Sequence, residues 1–142
     1  MVNIHLSYTA PVNPPGIEPV LSQARVFAGL QRKVRQPWEF VPAIESSEML
    51  SEEGNVVTRL VKFKPGEGPE RVVKEMCTIY APSRVDYQLD DGSSVLNIIS
   101  AGPSGRADDL FLTFVFDWKH DGMEEGSLAL RMAEETHLKV GA

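Results

Sequence analysis

The sequence holds a single cysteine, Cys77, in 142 residues. That excludes a disulfide within the chain and a zinc site built on cysteine. No apolar run approaches the roughly 20 residues that span a bilayer. The opening stretch, MVNIHLSYTAPV, lacks a basic segment and a continuous apolar core, so it does not read as a signal peptide. The expected compartment is the cytoplasm, with no membrane insertion. Positive charge is in short supply: 14 Lys and Arg face 20 Asp and Glu, for a net charge of −6. Nucleic acid and anionic lipid both call for a basic patch, so neither is an expected partner. The one basic cluster, Arg32, Lys33 and Arg35, reads as the solvated face of a helix.

Catalytic signatures are equally scarce. His5, His120 and His137 are scattered over separate elements, without H-x-x-x-H or acid spacing. No metal site is expected, and no cofactor. There is no G-x-S-x-G nucleophile elbow. The glycine-rich piece GPSG, at 102–105, lacks the Lys-Ser/Thr of a phosphate loop and reads as a turn. Cys77 falls on an apolar strand phase, where it reads as an inert small hydrophobe. No internal repeat or low-complexity tract divides the chain. Residues 1–142 are therefore expected to form one domain, long enough to bury roughly 70% of the surface the unfolded chain exposes.

What the sequence does contain is strand pattern. Residues 55–64 (NVVTRLVKFK) and 71–80 (RVVKEMCTIY) are dense in β-branched and aromatic residues. They are joined by PGEGPE, which predicts an antiparallel hairpin. Side chains alternate across a strand, so Val57, Arg59, Val61 and Phe63 share one face, and Val73, Glu75, Cys77 and Ile79 another. Arg59 and Glu75 are thus opposite charges among apolar neighbours. Further strands are expected at 2–10, 44–50, 85–89, 94–101 and 110–118. The last of these, LFLTFVFDW, is apolar on both phases and is expected near the middle of the sheet.

Helical spacing appears at Val26, Phe27, Leu30 and Val34, with Ser22 as N-cap and Pro37 as the stop. A short second helix or turn is expected at 38–40. A final helix is expected over 123–140, with Glu124 and Glu125 in its first turn and Lys139 in its last, matching the helix dipole. Strands that follow one another through short turns, with helices at the ends, make an α+β fold. A curled antiparallel sheet of six or seven strands would have its concave side covered by the last helix.

Several stretches carry a resemblance: SYTAPVNPPG near the start, VFAGLQRKVRQPWEFVPAIESSEML, KEMCTIYAPSRVDYQL, VLNIIS and LTFVFDW. Together they run from Leu6 to about Trp118. On them the chain resembles the START/Bet v 1-like (SRPBCC) superfamily and, more narrowly, a fungal AtaL-like family of uncharacterised function. The resemblance implies a helix-grip fold, in which the curved sheet wraps a C-terminal helix around an apolar cavity. It brings no catalytic motif.

Within that frame the expected ligand is hydrophobic and oxygenated, such as a polyketide, terpenoid or lipid. The expected ligand-binding residues are Arg59, Glu75, Asn97, Tyr80, Trp118 and Tyr87. Three functions compete. One is a binding module. The second is a cofactor-free cyclase or isomerase, with Glu75 as proton acceptor and Arg59 or Asn97 steadying an oxyanion. The third is an interaction domain that dimerises through the sheet, and a homo-oligomer stays open in all three. Arg59 and Glu75 also admit a plainer reading as a structural ion pair.

Overall fold

The computed structural model describes residues 3–119. The helix expected over 123–140, and with it His120 and His137, lies outside the described residues. Nine elements follow in order: β1 (Asn3–Pro11), α1 (Gln23–Arg35), a single 3-10 turn (Pro37–Glu39), β2 (Ile44–Glu53), β3 (Val56–Phe63), β4 (Val73–Tyr80), β5 (Arg84–Leu89), β6 (Ser94–Ala101) and β7 (Leu110–Lys119). The element expected after α1 is thus one 3-10 turn. Pro37 supplies the fixed φ for its first residue but no N–H to continue a helix.

The seven strands form one antiparallel sheet in the order β1-β7-β6-β5-β4-β3-β2. The meander from β2 to β7 is consecutive, and β1 adds to its far end by pairing with β7. That pairing corrects the expected place of β7. It lies next to the edge strand, and β5 occupies the centre. Strand β2 is longer than its polar text suggested and runs to Glu53, with irregular pairing between Ile44 and Ser46 and between Met49 and Ser51. Its main-chain ladder with β3 holds it there. Its side chains are largely exposed, as suits an edge strand that charge protects from further pairing.

One face of the sheet is buried and carries the core. Val57 and Val61, Val73 and Cys77, Val85 and Leu89, and Val95 and Ile99 all point into it. From β7 come Leu112, Phe114, Phe116 and Trp118. Phe116 stacks between Phe114 and Trp118, with ring centroids 6.4 and 5.9 Å away. Helix α1 lies on this face against β5 and β6. The Ser22 hydroxyl accepts from the Arg25 N–H at 3.2 Å, closing the first turn. Val26, Phe27, Leu30 and Val34 are buried beneath the helix, and so is Lys33.

The proline-rich stretch that leads to α1 is held by one side chain. Asn13 donates to the carbonyls of Leu21 (2.9 Å) and Asp108 (3.0 Å) and accepts from the Leu21 N–H (2.8 Å). It thereby satisfies backbone groups that proline cannot pair and fixes where α1 starts above the sheet.

Candidate functional site

Four charged or amide side chains converge on the buried face beneath the end of α1. The hairpin register places Arg59 of β3 directly opposite Glu75 of β4. Both are buried, at 3% and 6% exposure. Arg59 donates from Nε (2.9 Å) and Nη2 (2.6 Å) to the same carboxylate oxygen, Glu75 Oε1. Its remaining nitrogen, Nη1, donates to the main-chain carbonyls of Lys33 (3.1 Å) and Val34 (2.6 Å). Carbonyls in the last turn of a helix have no partner within the helix. Arg59 therefore does two jobs: it pairs with Glu75 and ties the C-terminal end of α1 to the sheet.

Lys33 is the residue that sequence reasoning missed. It is 4% exposed, against the expected solvated face. A signal was present: Lys33 stands seven residues after Val26 and three after Leu30, within the stripe α1 buries. Its Nζ donates to Asn97 Oδ1 at 2.9 Å. It also lies 5.2 Å from the ring centre of Phe114 and 5.6 Å from that of Tyr87. Burial, reinforced by the Arg59 charge and opposed by Glu75, pulls the Lys33 ammonium down to about 7.

Tyr87 stands at the centre of the group. Its register partners are Cys77 on one side and Val95 on the other. The Arg59 guanidinium carbon is 5.3 Å from its ring centre. Burial holds the Tyr87 phenol far above its ordinary range, with Arg59 in opposition, so the hydroxyl keeps its proton. Among the described residues that hydroxyl is buried without a hydrogen-bond partner, as is the Asn97 amide nitrogen, Nδ2. The Cys77 thiol is pushed up to about 11 by burial, which keeps it an unreactive thiol. For Arg59, burial works against the charge, but Glu75, Cys77 and Tyr87 together outweigh it and the guanidinium holds its proton more firmly than usual.

Lys33, Arg59, Glu75 and Tyr87 line a cleft of about 30 Å³, with Leu89, Val95 and Trp118 among its apolar walls. This is close to the share of one water molecule in the liquid, roughly 30 Å³. It accommodates an oxygen-bearing group and not the whole of a drug-sized molecule, whose pockets run to roughly 300–1,000 Å³. Asn97 reaches the cleft through Lys33. Tyr80 does not join the group. It shares the alternate phase of β4 with Lys74 and Met76 and is 43% exposed, with Arg84 4.5 Å above its ring. Strand alternation puts it on the outer face, so its expected place in the pocket is corrected. A second groove, about 200 Å³, runs along the β2–β3 edge between Ser46, Glu48, Leu60 and Lys62, and none of these four is buried.

Arg59 has four of its five donors engaged, which makes it a strut more than a free ligand clamp. Glu75 differs. Both Arg59 bonds go to Oε1, and Oε2 receives no hydrogen bond among the described residues. The chemically available groups of the cleft are thus the Lys33 Nζ, the Tyr87 hydroxyl and one carboxylate oxygen of Glu75.

The sequence matches the protein family described as AtaL, acetylaranotin biosynthesis cluster protein L, over residues 6–141. No curated protein matches it. Solved structures show the fold to be of the helix-grip type. The solution structure of KanY protein superposes with a TM-score of 0.65 at 13% identity, covering 99% of this chain and 97% of that one. The Zhui aromatase/cyclase from Streptomyces sp. R1128 gives 0.60 at 12% identity, with 99% and 90% covered. The di-domain ARO/CYC StfQ from the steffimycin biosynthetic pathway gives 0.64 at 10% identity, with 98% and 50% covered. The chain spans about half the length of that di-domain protein.

Proposed function

The chain belongs to the AtaL family, acetylaranotin biosynthesis cluster protein L, and from that premise we propose that it binds a hydrophobic, oxygenated small molecule of secondary metabolism. The ligand's oxygen end enters the cleft at Tyr87, and its apolar body extends beyond it. Polyketides, terpenoids and lipid-like molecules all have this character. The structural likeness to aromatase/cyclase and ARO/CYC proteins favours the first of these.

The observation that carries this reading is the Tyr87 hydroxyl. A buried polar group left without a partner costs a fold about 1–3 kcal/mol. The hydroxyl gives the fold nothing in return, and it belongs to a residue that lines the cleft. A ligand oxygen would satisfy it. The Arg59–Glu75 pair holds the cleft's shape, and Trp118 supplies apolar wall.

A second reading rests on Glu75. With Oε1 fixed by Arg59, Oε2 is an oriented acceptor in a largely apolar setting. That suits proton abstraction next to a carbonyl, and hence a cofactor-free cyclase or isomerase.

One experiment addresses both readings. A panel of hydrophobic ketones, phenols and carboxylic acids is passed over wild-type protein and Tyr87→Phe, and retained compounds are recovered and weighed by mass spectrometry. Tyr87→Phe is expected to melt at or above the wild-type temperature and to retain the same compounds at least tenfold more weakly. Recovery of unchanged compounds identifies a binder; recovery of converted ones identifies an enzyme. Retention by neither protein, or equal retention by both, contradicts the proposal.

A further inference from the structure

Among the described residues the cleft is lined by two basic side chains and one carboxylate. Among the described residues the buried charged side chains are Lys33, Arg59 and Glu75. Glu75 is taken by Arg59. Among the described residues that leaves the Lys33 amine facing Asn97 Oδ1 and the rings of Tyr87 and Phe114, with no carboxylate of its own. An ammonium has three donors, and Asn97 occupies one of them. Neutral acceptors and ring faces offset a buried charge only in part.

We infer that Lys33 selects the ligand's charge: the molecule bound in this cleft presents an anionic oxygen, from a carboxylate or an acidic enol, which pairs with the Lys33 ammonium. The inference rests on the ligand reading above and names the chemical class that reading leaves open. Arg59 is a poor candidate for the role, because Glu75 and the two helix carbonyls already engage it. Lys33 lines the cleft, lies 5.6 Å from the ring centre of Tyr87, and keeps two donors for an incoming oxygen. The groups that face it are Arg59 from β3, Glu75 and Cys77 from β4, Tyr87 from β5, Asn97 from β6 and Phe114 from β7. Their net effect holds the free protein's amine about half protonated at neutral pH. A bound anion favours the ammonium, so binding takes up a proton near pH 7, and affinity weakens as the pH rises above that.

Two matched pairs of probes test this by calorimetry: naphthoate against naphthamide for a carboxylate, and dimedone, ionised at neutral pH, against isophorone for an enolate. At least one anion is expected to bind tenfold or more tightly than its neutral counterpart. Its apparent enthalpy should shift between phosphate and Tris in the sense of proton uptake. Whichever pair discriminates identifies the source of the oxygen. In Lys33→Met the anion's advantage over its neutral counterpart should disappear. Equal binding of anion and neutral probe, or an advantage that survives Lys33→Met, overturns the inference and leaves the ligand reading standing. Binding of none of the four overturns both.

Discussion

Arg59→Met is expected to destabilise the protein by roughly 3–5 kcal/mol, the usual cost of removing one partner from a buried ion pair. Two losses combine. Glu75, 6% exposed, would be left on the core face without its counter-ion. The carbonyls of Lys33 and Val34 would lose the donor that ties α1 to β3. Methionine fills much of the arginine volume, so little of the effect comes from a void. Adding Glu75→Met should recover a good part of the stability, because the stranded carboxylate is then gone and only the helix carbonyls remain unpaired. Urea unfolding of the two single variants and the double variant gives the coupling directly. A loss below about 1 kcal/mol for Arg59→Met, a value typical of exposed pairs, would show that the pair and the helix tie do not support the fold.

Lys33→Met is expected to act in the opposite direction. Below neutral pH the wild type keeps a largely protonated amine in a buried site. Replacing such a group by an apolar one of similar length is often neutral or stabilising, by about 1–4 kcal/mol. The pH dependence gives the sharper signature. The Lys33 amine is depressed from its ordinary 10.5 to about 7 in the folded protein. Between those two values the unfolded chain binds more protons than the folded one, so stability rises with pH across that window. From about pH 7 to about pH 9 the rise due to Lys33 amounts to about 2 kcal/mol. Below about 7 both states are protonated, and Lys33 adds no further pH dependence. Lys33→Met should lack the rise. Urea midpoints of wild type and variant across this range check it; parallel curves would show that Lys33 is not held in a depressed state.

The two variants divide the site by role. Arg59 and Glu75 support the architecture, and among the described residues Glu75 still presents one oxygen without a hydrogen bond. Lys33 and the Tyr87 hydroxyl work against stability where they stand. Groups that weaken a fold and cluster in a cleft are the ones a functional reading explains best.

Much of this arrangement was legible in the sequence. Alternation in 55–64 and 71–80 put Arg59 and Glu75 on apolar phases, and the Gly/Pro connector made the two runs neighbours. The observed register sets them directly opposite each other. Asn97 and Ser100 fall on opposite phases of 94–101, and both phases are apolar, so alternation alone did not choose between them; the sheet buries Asn97 and leaves Ser100 exposed. Tyr80 was misplaced in the pocket although its phase spoke against it, since it cannot share a face with Glu75 and Cys77 on a regular strand. Lys33 was obscured because charge outweighed position: next to Arg32 and Arg35 it looks like part of a basic face, although its spacing belongs to the apolar stripe. What exposes it as a core residue is Asn97, 64 positions away, and no local pattern encodes a contact at that range. The place of β7 was hidden for the same reason, because its outer neighbour is β1 from the far end of the chain.

The central claim is that ligand enters at the inner face of the sheet beneath the end of α1. Methyl-resolved NMR of the protein titrated with naphthoate tests it most directly. The account predicts shifts confined to the methyl groups that wall the cleft, those of Val41, Ile44, Leu89 and Val95, together with loss of these shifts in Lys33→Met. Shifts centred instead on Leu60 and Val72, which border the groove at the β2–β3 edge, would contradict it.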